Sequence, residues 1–410
     1  MDVSRRSFLG GMAAAPFLCG GCLGGGLAAP RRVSAGDRIS IAVIGCGTQA
    51  YDNVNQLLQD PRARITVVCD PVREAKTGYG YEGKKPGGCV PFKQKIDASY
   101  KDNACRMVSD WRAVVADPTV DAVVVCTPDH WHALISVAAM RAGKHVYCQK
   151  PLALSIEEGI VMTRVAKESG VTFQVGNQGR SNPARRTASE IIRNNVLGKA
   201  RSCRVGLPGG SGGLWGHPLD PVPGPLPAHF SKEMWNLWQG PAAHWDGNVF
   251  IPGIHEPMAW RWNRRYGNGM IADFAPHEVD TMHWAMGFER TGPVAIANMA
   301  AGAFQPNRDV FTWAGAFEFD MEYATGFAAH VVSMRPGVPR GLLYECEEGT
   351  LGLYGSKIEI RDRNGKDIAR NVLRDWQPHL ASPSRATSSS SAPRRLAQLR
   401  DEPDGAQHDR

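Results

Sequence analysis

The sequence predicts an α/β protein that begins with a parallel sheet and continues as an α+β domain with a large, mainly antiparallel sheet. Up to about residue 178, short and continuously apolar segments alternate with helical ones. Strands of that kind are typical of a parallel sheet that helices cover on both faces. Between residues 294 and 360, apolar residues alternate with polar ones, as in antiparallel strands with one solvated face. We therefore expect one domain over 38–178 and a second over 179–375.

The elements of the first domain alternate along the chain. The predicted strands are 39–44, 65–69, 121–126, 145–148 and 171–175. The predicted helices are 49–59, 132–142 and 155–169. Ser155 and Glu158 form a capping box at the start of the last helix. The second domain is predicted to contain a helix over 184–194, a Gly/Pro-rich stretch over 208–229, an aromatic segment over 235–266 and then the antiparallel strands.

A glycine-rich turn joins the first strand to the first helix, where residues 45–50 read GxGxxA. Such a turn predicts a dinucleotide site when a strand precedes it and a helix follows it. Gly45 permits the tight turn, and Gly47 lets the backbone approach a pyrophosphate at the positive end of the helix. Thr48 and Gln49 open that helix and are candidate cofactor contacts. The first domain is accordingly predicted to be a Rossmann domain.

The second strand ends in an acidic residue, Asp70, at the distance expected for the acid that binds the adenosine ribose hydroxyls. Its carboxylate would repel a 2′-phosphate, which favours NAD over NADP. Arg73 lies close by in the sequence and could accommodate a 2′-phosphate, so NADP remains open.

Composition and charge argue against several other classes of protein. The 410 residues are 43% hydrophobic and 21% charged, which is typical of two globular domains. The net charge of +7 is scattered, which argues against a nucleic-acid partner. The globular part has no run long enough to span a membrane, and its His, Asp and Cys residues lack the spacing of a metal site. Four cysteines end apolar runs and are predicted to be small buried side chains: Cys46, Cys69, Cys126 and Cys148. A Cys89–Cys105 disulfide remains an alternative.

The two ends of the chain differ from its middle. Residues 1–30 carry Arg5-Arg6, an apolar Gly/Ala-rich stretch and then Ala28-Ala29-Pro30, in the order of a twin-arginine signal peptide. We therefore expect export to the periplasm or another extracytoplasmic space. Residues 381–410 are rich in Ser, Arg and Pro and lack periodicity, which predicts a disordered or frame-altered tail.

Several further motifs carry a family resemblance. They are Thr127–His132, Gln149-Lys150-Pro151, Gly176–Ser181, Trp260-Arg261-Trp262 and Asp273–Asp280. Together with the glycine turn, they resemble the glucose–fructose oxidoreductase, inositol dehydrogenase and rhizopine catabolism (Gfo/Idh/MocA) family, and the third motif resembles its twin-arginine-exported branch. The resemblance covers roughly residues 38–361. It implies an NAD(P)-dependent oxidoreductase that acts on pyranoses, inositols or related polyols.

The resemblance also implies roles for individual residues. Lys150 corresponds to the family's lysine beside the nicotinamide, and Asp273 and His277 correspond to its DxxxH pair on the facing domain. Gln149, a further candidate cofactor contact, stands where most members have Glu. Ala275 stands where DxGxH members have Gly, which puts the geometry of that turn in question.

The same residues suit the chemistry of alcohol oxidation. A base must remove the hydroxyl proton, and His277 is the candidate, since histidine titrates near neutral pH. Pro276 suits the first position of a helix, so His277 is predicted in the first turn and Asp273 just before it. Lys150 follows a strand at the carboxyl edge of the sheet, where it could polarise the substrate oxygen or bind the nicotinamide ribose.

The remaining candidates are cofactor and substrate contacts whose chemistry is less specific. The resemblance implies that Thr127 and His132 contact the cofactor. Gln178 and Arg180 could bind substrate hydroxyls or a carboxylate, and Trp262 could stack on a sugar ring, although ordinary packing explains a tryptophan equally well.

Three functions agree with the sequence. The first is an exported NAD-dependent dehydrogenase of a sugar or polyol, expected to be a homo-oligomer. The second is an NAD-dependent glycosidase that oxidises C3 transiently and recycles its cofactor. The third is a cofactor-bound sugar-binding protein without catalytic activity.

Overall fold

The computed structural model describes residues 38–75, 85–209, 225, 231–242, 259–302, 313, 316–333 and 337–376. The predicted leader over 1–30 and the predicted tail over 381–410 lie outside these residues. The chain divides into two compact units. The described residues of the first unit come from Met1–Gly176, Ser211–Asp273 and Phe304–Trp313. Those of the second come from Asn177–Gly210, Phe274–Ala303 and Ala314–Arg410.

A parallel sheet forms the centre of the first unit. Its described strands are β1 (Ile39–Ile44), β2 (Ala63–Cys69), β3 (Arg106–Val108), β4 (Ala122–Val125), β5 (His145–Gln149) and β6 (Phe173–Gly176). They lie in the order β3-β2-β1-β4-β5-β6, and all described pairings are parallel. The strand order reverses between β1 and β4, which is the position where doubly wound sheets bind dinucleotides. The predicted Rossmann sheet is confirmed.

Helices cover both faces of this sheet, as the apolar strands require. They are α1 (Thr48–Leu57), α2 (Cys89–Tyr100), α3 (Trp111–Ala116), α4 (His132–Arg141) and α5 (Ile156–Ser169). Ala42 and Ile44 of β1 pack into the core formed with α3, α4 and α5. Ile41 and Val43 point to the opposite face and pack with α1 and α2. Alternate residues of one strand therefore serve two cores, which explains why the strand is apolar throughout.

Part of the aromatic segment also belongs to the first unit. Helix α7 (Lys232–Gln239) and a 3₁₀ helix (Ala259–Trp262) lie in Ser211–Asp273, which groups with the parallel sheet. The sequence pattern assigned this segment to the second domain. Ser231 begins α7, because its hydroxyl accepts the Met234 N–H.

The second unit is built on a mixed sheet. Its described strands are β7 (Ala200–Leu207), β8 (Ala295–Ala301), β9 (Phe317–Glu322), β10 (Ala328–Ser333), β11 (Gly341–Cys346), β12 (Gly349–Tyr354) and β13 (Lys357–Asp362). They lie in the order β13-β12-β11-β7-β10-β9-β8. The described pairings are antiparallel except that between β7 and β10. This confirms the predicted, mainly antiparallel sheet. Helix α6 (Pro183–Arg193) packs on β12 and β13, and α9 (Ala369–Asp375) packs on β13.

Helix α8 (Gly269–Met286) corrects one prediction. The helix begins at Gly269, so Pro276 lies inside it and not at its first position. Proline removes one N–H from a helix and is therefore expected to begin it. Here the helix tolerates Pro276, and the Pro276 carbonyl accepts a hydrogen bond from Asn177 Nδ2 at 2.5 Å. The boundary between the two units falls within α8, after Asp273.

The cysteine and membrane predictions can be compared with the structure over the described residues. Cys89 and Cys105 are both buried free thiols, so the Cys89–Cys105 disulfide is absent. Cys46, Cys69 and Cys148 are buried as expected, and Cys126 is half-buried. Among the described helices, none combines the length and the apolar character needed to cross a membrane.

Candidate active site

The first unit contains a cleft at the carboxyl ends of β1, β4 and β5. Its volume is about 1190 Å³, its open mouth included. It is lined by residues of the glycine turn, of the loops after β2, β4 and β5, and of the segment that carries α7. Eight of the residues predicted to bind the cofactor line this cleft: Gly45, Gly47, Thr48, Gln49, Asp70, Thr127, Gln149 and Lys150.

The glycine turn leaves room where a dinucleotide would lie. Gly45 has φ +92°, and a Cβ atom there would lie 2.6 Å from the carbonyl carbon of Cys126, so no other residue fits without strain. A Cβ on Gly47 would meet no atom within 4 Å. Gly47 also precedes the first turn of α1, where backbone N–H groups favour an anion. The turn therefore fits a pyrophosphate, both sterically and electrostatically.

Asp70 supports the glycine turn from the end of β2. Its Oδ2 accepts the Cys46 N–H at 2.7 Å, and its Oδ1 accepts the Val72 N–H at 2.8 Å. Burial raises the pKa of Asp70 to about 6, although both backbone hydrogen bonds lower it. The carboxylate thus lines the cleft and fixes the glycine turn, and its contact with the adenosine ribose stays a prediction.

A buried group of charges lies at the end of β5. Lys150 Nζ lies 2.6 Å from Asp273 Oδ1 and 2.9 Å from the Asp273 carbonyl oxygen. Arg261 Nε donates to the other carboxylate oxygen of Asp273 at 2.9 Å. Lys150 is 8% exposed and Asp273 is 3% exposed, so this ion pair is largely excluded from water. Burial would raise the pKa of Asp273, but Arg261 and Lys150 hold it well below its usual range.

Asp129 is a second carboxyl group that interacts electrostatically with Asp273, Arg261 and Lys150. It lies in the 3₁₀ helix Asp129–Trp131 after β4 and is 3% exposed. Burial, and then the negative charge of Asp273, raise the pKa of Asp129 to about 8, although Arg261 and Lys150 lower it. Asp129 is therefore protonated more readily than an aspartate exposed to water.

His132 lies behind the cleft and not in its lining. Its Nδ1 lies 2.7 Å from the Pro151 carbonyl oxygen, and its Nε2 lies 2.9 Å from the Thr127 carbonyl oxygen. Burial lowers the pKa of His132 to about 4, so the ring is neutral and donates to one of the two carbonyls. This geometry ties the loop after β4 to the loop after β5. Thr127 Oγ1, by contrast, is a buried cleft atom without a hydrogen-bond partner among the described residues, as expected of a ligand contact.

Tryptophans form part of the wall of the cleft. Trp131, Trp238 and Trp260 line it. Trp131 Nε1 donates to the Trp238 carbonyl at 3.0 Å, and His130 Nε2 lies 3.0 Å from the same oxygen. These contacts anchor the end of α7 to the loop after β4. Apolar ring faces of this kind suit the C–H faces of a sugar.

The second unit holds the other predicted site residues. His277 Nδ1 lies 3.2 Å from Asn177 Oδ1. Arg180 binds Asp280 through two hydrogen bonds, of 2.8 Å from Nε and 2.7 Å from Nη2. Gln178 belongs to the 3₁₀ helix Gln178–Ser181. The predicted substrate contact Trp262 lies in the first unit and is buried outside the cleft lining.

Three residues with an evident part in the site were not among the predicted ones. Arg261, Asp129 and Asn177 each lie inside a motif named above, but none was assigned a role of its own. Each matters through contacts with residues distant in the chain, and a local pattern does not show such contacts.

Comparison with known proteins concerns mainly the first unit. Residues 39–177 match the sequence model of a family described as "Oxidoreductase family, NAD-binding Rossmann fold", which is the Gfo/Idh/MocA family. The matched residues include the glycine turn, Asp70, Thr127 and Lys150. Residues 39–177 of this chain are therefore similar to the Rossmann domain of that oxidoreductase family.

Curated relatives are similar over part of their length. The chain is 28% identical over 180 residues to levoglucosan dehydrogenase of Pseudarthrobacter phenanthrenivorans, which covers 44% of this chain and 36% of that protein. It is 29% identical over 196 residues to 1,5-anhydro-D-fructose reductase of Ensifer adhaerens, covering 48% and 46%. It is 29% identical over 163 residues to scyllo-inositol 2-dehydrogenase (NAD⁺) of Bacillus subtilis, covering 40% and 42%. The alignments thus span less than half of each of these relatives.

Solved structures extend the likeness of fold beyond the Rossmann domain. Levoglucosan dehydrogenase in complex with NADH aligns with a TM-score of 0.55 and 18% identity, over 80% of this chain and 77% of that one. An NAD-binding protein from Listeria innocua aligns with a TM-score of 0.53 and 17% identity, over 80% and 77%. At this identity the comparison supports the fold of both units.

Proposed function

We propose that this protein is an NAD-dependent oxidoreductase that transfers a hydride to or from a sugar, an inositol or a related polyol. The observation that carries the proposal is the buried group of Lys150, Asp273 and Arg261 beside a cleft that fits a dinucleotide. Curated relatives named as sugar and inositol dehydrogenases or reductases support the same substrate class.

The residues of the cleft would hold NAD in a defined way. The glycine turn would accept the pyrophosphate, Asp70 would accept the adenosine ribose hydroxyls, and Thr127 Oγ1 would bind near the nicotinamide end. A negatively charged Asp70 disfavours a 2′-phosphate, so NAD is proposed over NADP. Bound NAD supplies the hydride acceptor, and the protein supplies position and charge.

Lys150 would act on the substrate oxygen. Its ammonium can donate a hydrogen bond to that oxygen and stabilise negative charge as the hydroxyl proton leaves. Asp273 holds the ammonium in place at 2.6 Å, and Arg261 holds Asp273 from the other side. His277 is proposed as the base that removes the proton. Its place in the DxxxH motif with Asp273 supports this assignment.

The test is turnover by variants of the two proposed catalytic residues. The assay follows reduced nicotinamide absorbance with a panel of pyranoses, inositols and anhydrosugars. Lys150→Met and His277→Gln should each lower kcat by about 10²–10⁴-fold, the usual contribution of one acid–base group. Lys167→Met, which removes an exposed lysine of α5, is the matched control and should leave kcat unchanged.

Two results would redirect the proposal. Product release from a glycoside without net NADH would indicate the glycosidase with internal cofactor recycling. Tight sugar binding without turnover of any panel member would indicate the non-catalytic sugar-binding protein. Unchanged turnover in both Lys150→Met and His277→Gln would contradict the assigned chemistry.

Export by the twin-arginine route to the periplasm or another extracytoplasmic space is a second part of the proposal. Arg5-Arg6, the apolar stretch and Ala28-Ala29-Pro30 support it. Replacing both arginines by lysine should retain the protein in the cytoplasm, as measured by fractionation. Equal export of the Lys-Lys variant would contradict it.

We also propose that the protein is a homo-oligomer. Val294, Ile296 and Met299, on and beside the edge strand β8, are exposed apolar side chains, which a second copy of the chain would cover. Light scattering coupled to size exclusion tests this proposal, and a monomeric mass at micromolar concentration would refute it.

A further inference from the structure

We infer that Asn177 is a positioning residue that holds His277 in the neutral form protonated on Nδ1, so that Nε2 carries the lone pair. The inference rests on the proposed function, in which His277 is the base. It concerns contacts within the second unit, between the 3₁₀ helix region after β6 and the helix α8.

The hydrogen bonds of Asn177 fix which way its amide points. Nδ2 lies 2.5 Å from the Pro276 carbonyl oxygen and 2.7 Å from Asp280 Oδ2, and both of these groups only accept. Oδ1 lies 3.1 Å from the Gly179 nitrogen, which only donates. A flipped amide would place acceptors against acceptors and a donor against a donor. All three contacts therefore require the orientation with Oδ1 towards Gly179.

The orientation of Asn177 decides the proton on His277. Asn177 Oδ1 lies 3.2 Å from His277 Nδ1 and can only accept, so Nδ1 must carry the proton. A neutral imidazole has one N–H, and its other nitrogen is the acceptor. Nε2 is then the nitrogen able to take a proton from a substrate. The opposite tautomer would turn that nitrogen into a donor and remove the base.

A salt bridge between Arg180 and Asp280 supports this arrangement. Asp280 accepts from Asn177 Nδ2 through Oδ2, and Arg180 holds both oxygens of Asp280 in a bidentate contact. The structure thus assigns to Arg180, predicted from sequence as a substrate contact, a second role: its two hydrogen bonds hold the Asp280 carboxylate in place. The order of contact is Arg180, Asp280, Asn177 and then His277.

Other described groups contact the backbone of this turn or the edge of the His277 ring. Arg185 Nη1 donates to the His277 backbone carbonyl at 2.9 Å, and Glu278 forms a buried ion pair with Arg185. The Phe274 ring meets the His277 ring edge-on. Arg185 and Glu278 therefore act on the backbone of this turn, whereas Asn177 binds an atom of the ring.

The test is a measurement of the tautomer itself. The full-length protein is labelled with ¹⁵N-histidine, and the ring signals of His277 are assigned by their loss in His277→Gln. The pair of ¹⁵N shifts at a pH where the ring is neutral should be that of the Nδ1–H form. The Nε2–H form in the wild-type protein would overturn the inference, whatever the enzymatic activity.

Variants then test whether Asn177 causes His277 to adopt this tautomer. Asn177→Ala should shift His277 towards the Nε2–H form and lower kcat by at least about tenfold, because general-base catalysis needs an unprotonated Nε2. Arg180→Met, which leaves Asn177 in place, should cause a smaller shift of the same sign. Asn182→Asp is the matched control, since Asn182 caps α6 through its Oδ1 and aspartate keeps that cap. An unchanged Nδ1–H signal in folded Asn177→Ala would also overturn the inference.

The two ideas fail in different ways. The ¹⁵N spectrum needs no substrate, so it reports the tautomer even if no sugar is turned over. Normal turnover by His277→Gln would contradict the proposed base and not the tautomer.

Discussion

Replacing His132 by glutamine should change how the stability of the protein depends on pH. His132 is 1% exposed, and both ring nitrogens lie against carbonyl oxygens, of Pro151 and Thr127. Burial lowers its pKa to about 4. A histidine in the unfolded chain titrates near about 6.5. Between these values the unfolded chain binds a proton that the folded protein does not, so acid favours unfolding.

The size of the effect follows from the two pKa values. At pH 7.5 the histidine is neutral in both states and contributes almost nothing. A pH of 5 lies about 1.5 pH units below the unfolded-state pKa, and each of these units stabilises the unfolded chain by about 1.36 kcal/mol through protonation. The folded protein, whose His132 pKa is about 4, gains almost no such stabilisation. His132 therefore lowers the free energy of unfolding by about 2 kcal/mol at pH 5. The sign agrees with a depressed folded-state pKa: the stability is present above about 6.5 and is lost as the pH falls towards 4.

Glutamine lacks this titration but keeps two N–H donors for the two carbonyls. Urea unfolding of the wild-type protein and His132→Gln gives the difference in free energy at each pH. The free energy of unfolding of the wild type minus that of His132→Gln should be about 2 kcal/mol smaller at pH 5 than at pH 7.5. Ile135→Val in the same helix is a control without a titrating group. It should cost about 0.5–1.5 kcal/mol at both pH values. An equal difference for His132→Gln at both pH values would refute the reasoning.

Three further changes test the site. Gly45→Ala places a Cβ 2.6 Å from a backbone carbonyl carbon at φ +92°. It should lower the free energy of unfolding, measured in urea, by at least about 1–3 kcal/mol and abolish NADH binding. Gly170→Ala is the control for the clash, since Gly170 has φ +65° but open space around it, and this variant should leave NADH binding intact. Asp273→Ala removes the carboxylate that pairs with the buried Lys150 and should lower the free energy of unfolding by about 3–5 kcal/mol; a loss below about 1 kcal/mol would contradict the buried ion pair. NADH affinity, measured by fluorescence, should fall about tenfold from pH 7.5 to pH 5, because Asp70 with a pKa of about 6 is then mostly protonated. Asp70→Asn should show no such dependence, and an equal slope in that variant would contradict the assignment to Asp70.

The strands and the glycine turn could be predicted because their signals are local. β1 runs from Ile39 to Ile44 as predicted, since a continuous apolar run ends at a glycine. The short strand Arg106–Val108 and the helix Cys89–Tyr100 were missed, because a three-residue strand has no period and this helix presents little amphipathic pattern. Pro276 was misplaced, since proline is far more common at the start of a helix than inside one.

The charges of the site could be predicted only in part. Lys150 and Asp273 were chosen for their motifs, and the fold brings them together although 123 residues separate them. Arg261 and Asn177 act by binding Asp273 and His277, so their importance depends on the folded backbone. The raised pKa of Asp129 likewise comes from burial and from a neighbouring carboxylate, and neither is visible in a linear sequence.

The contact between the loop after β4 and the end of α7 has a consequence for synthesis. Trp131 and Trp238 are 107 residues apart, and the hydrogen bond between them completes one wall of the cleft. As the chain leaves the ribosome, the parallel sheet is finished at Gly176, well before Trp238 and Trp260 exist. A nascent chain can therefore form its sheet early, while the walled cleft matures later. A fragment that ends after β6 would be expected to hold a dinucleotide less firmly than the whole chain.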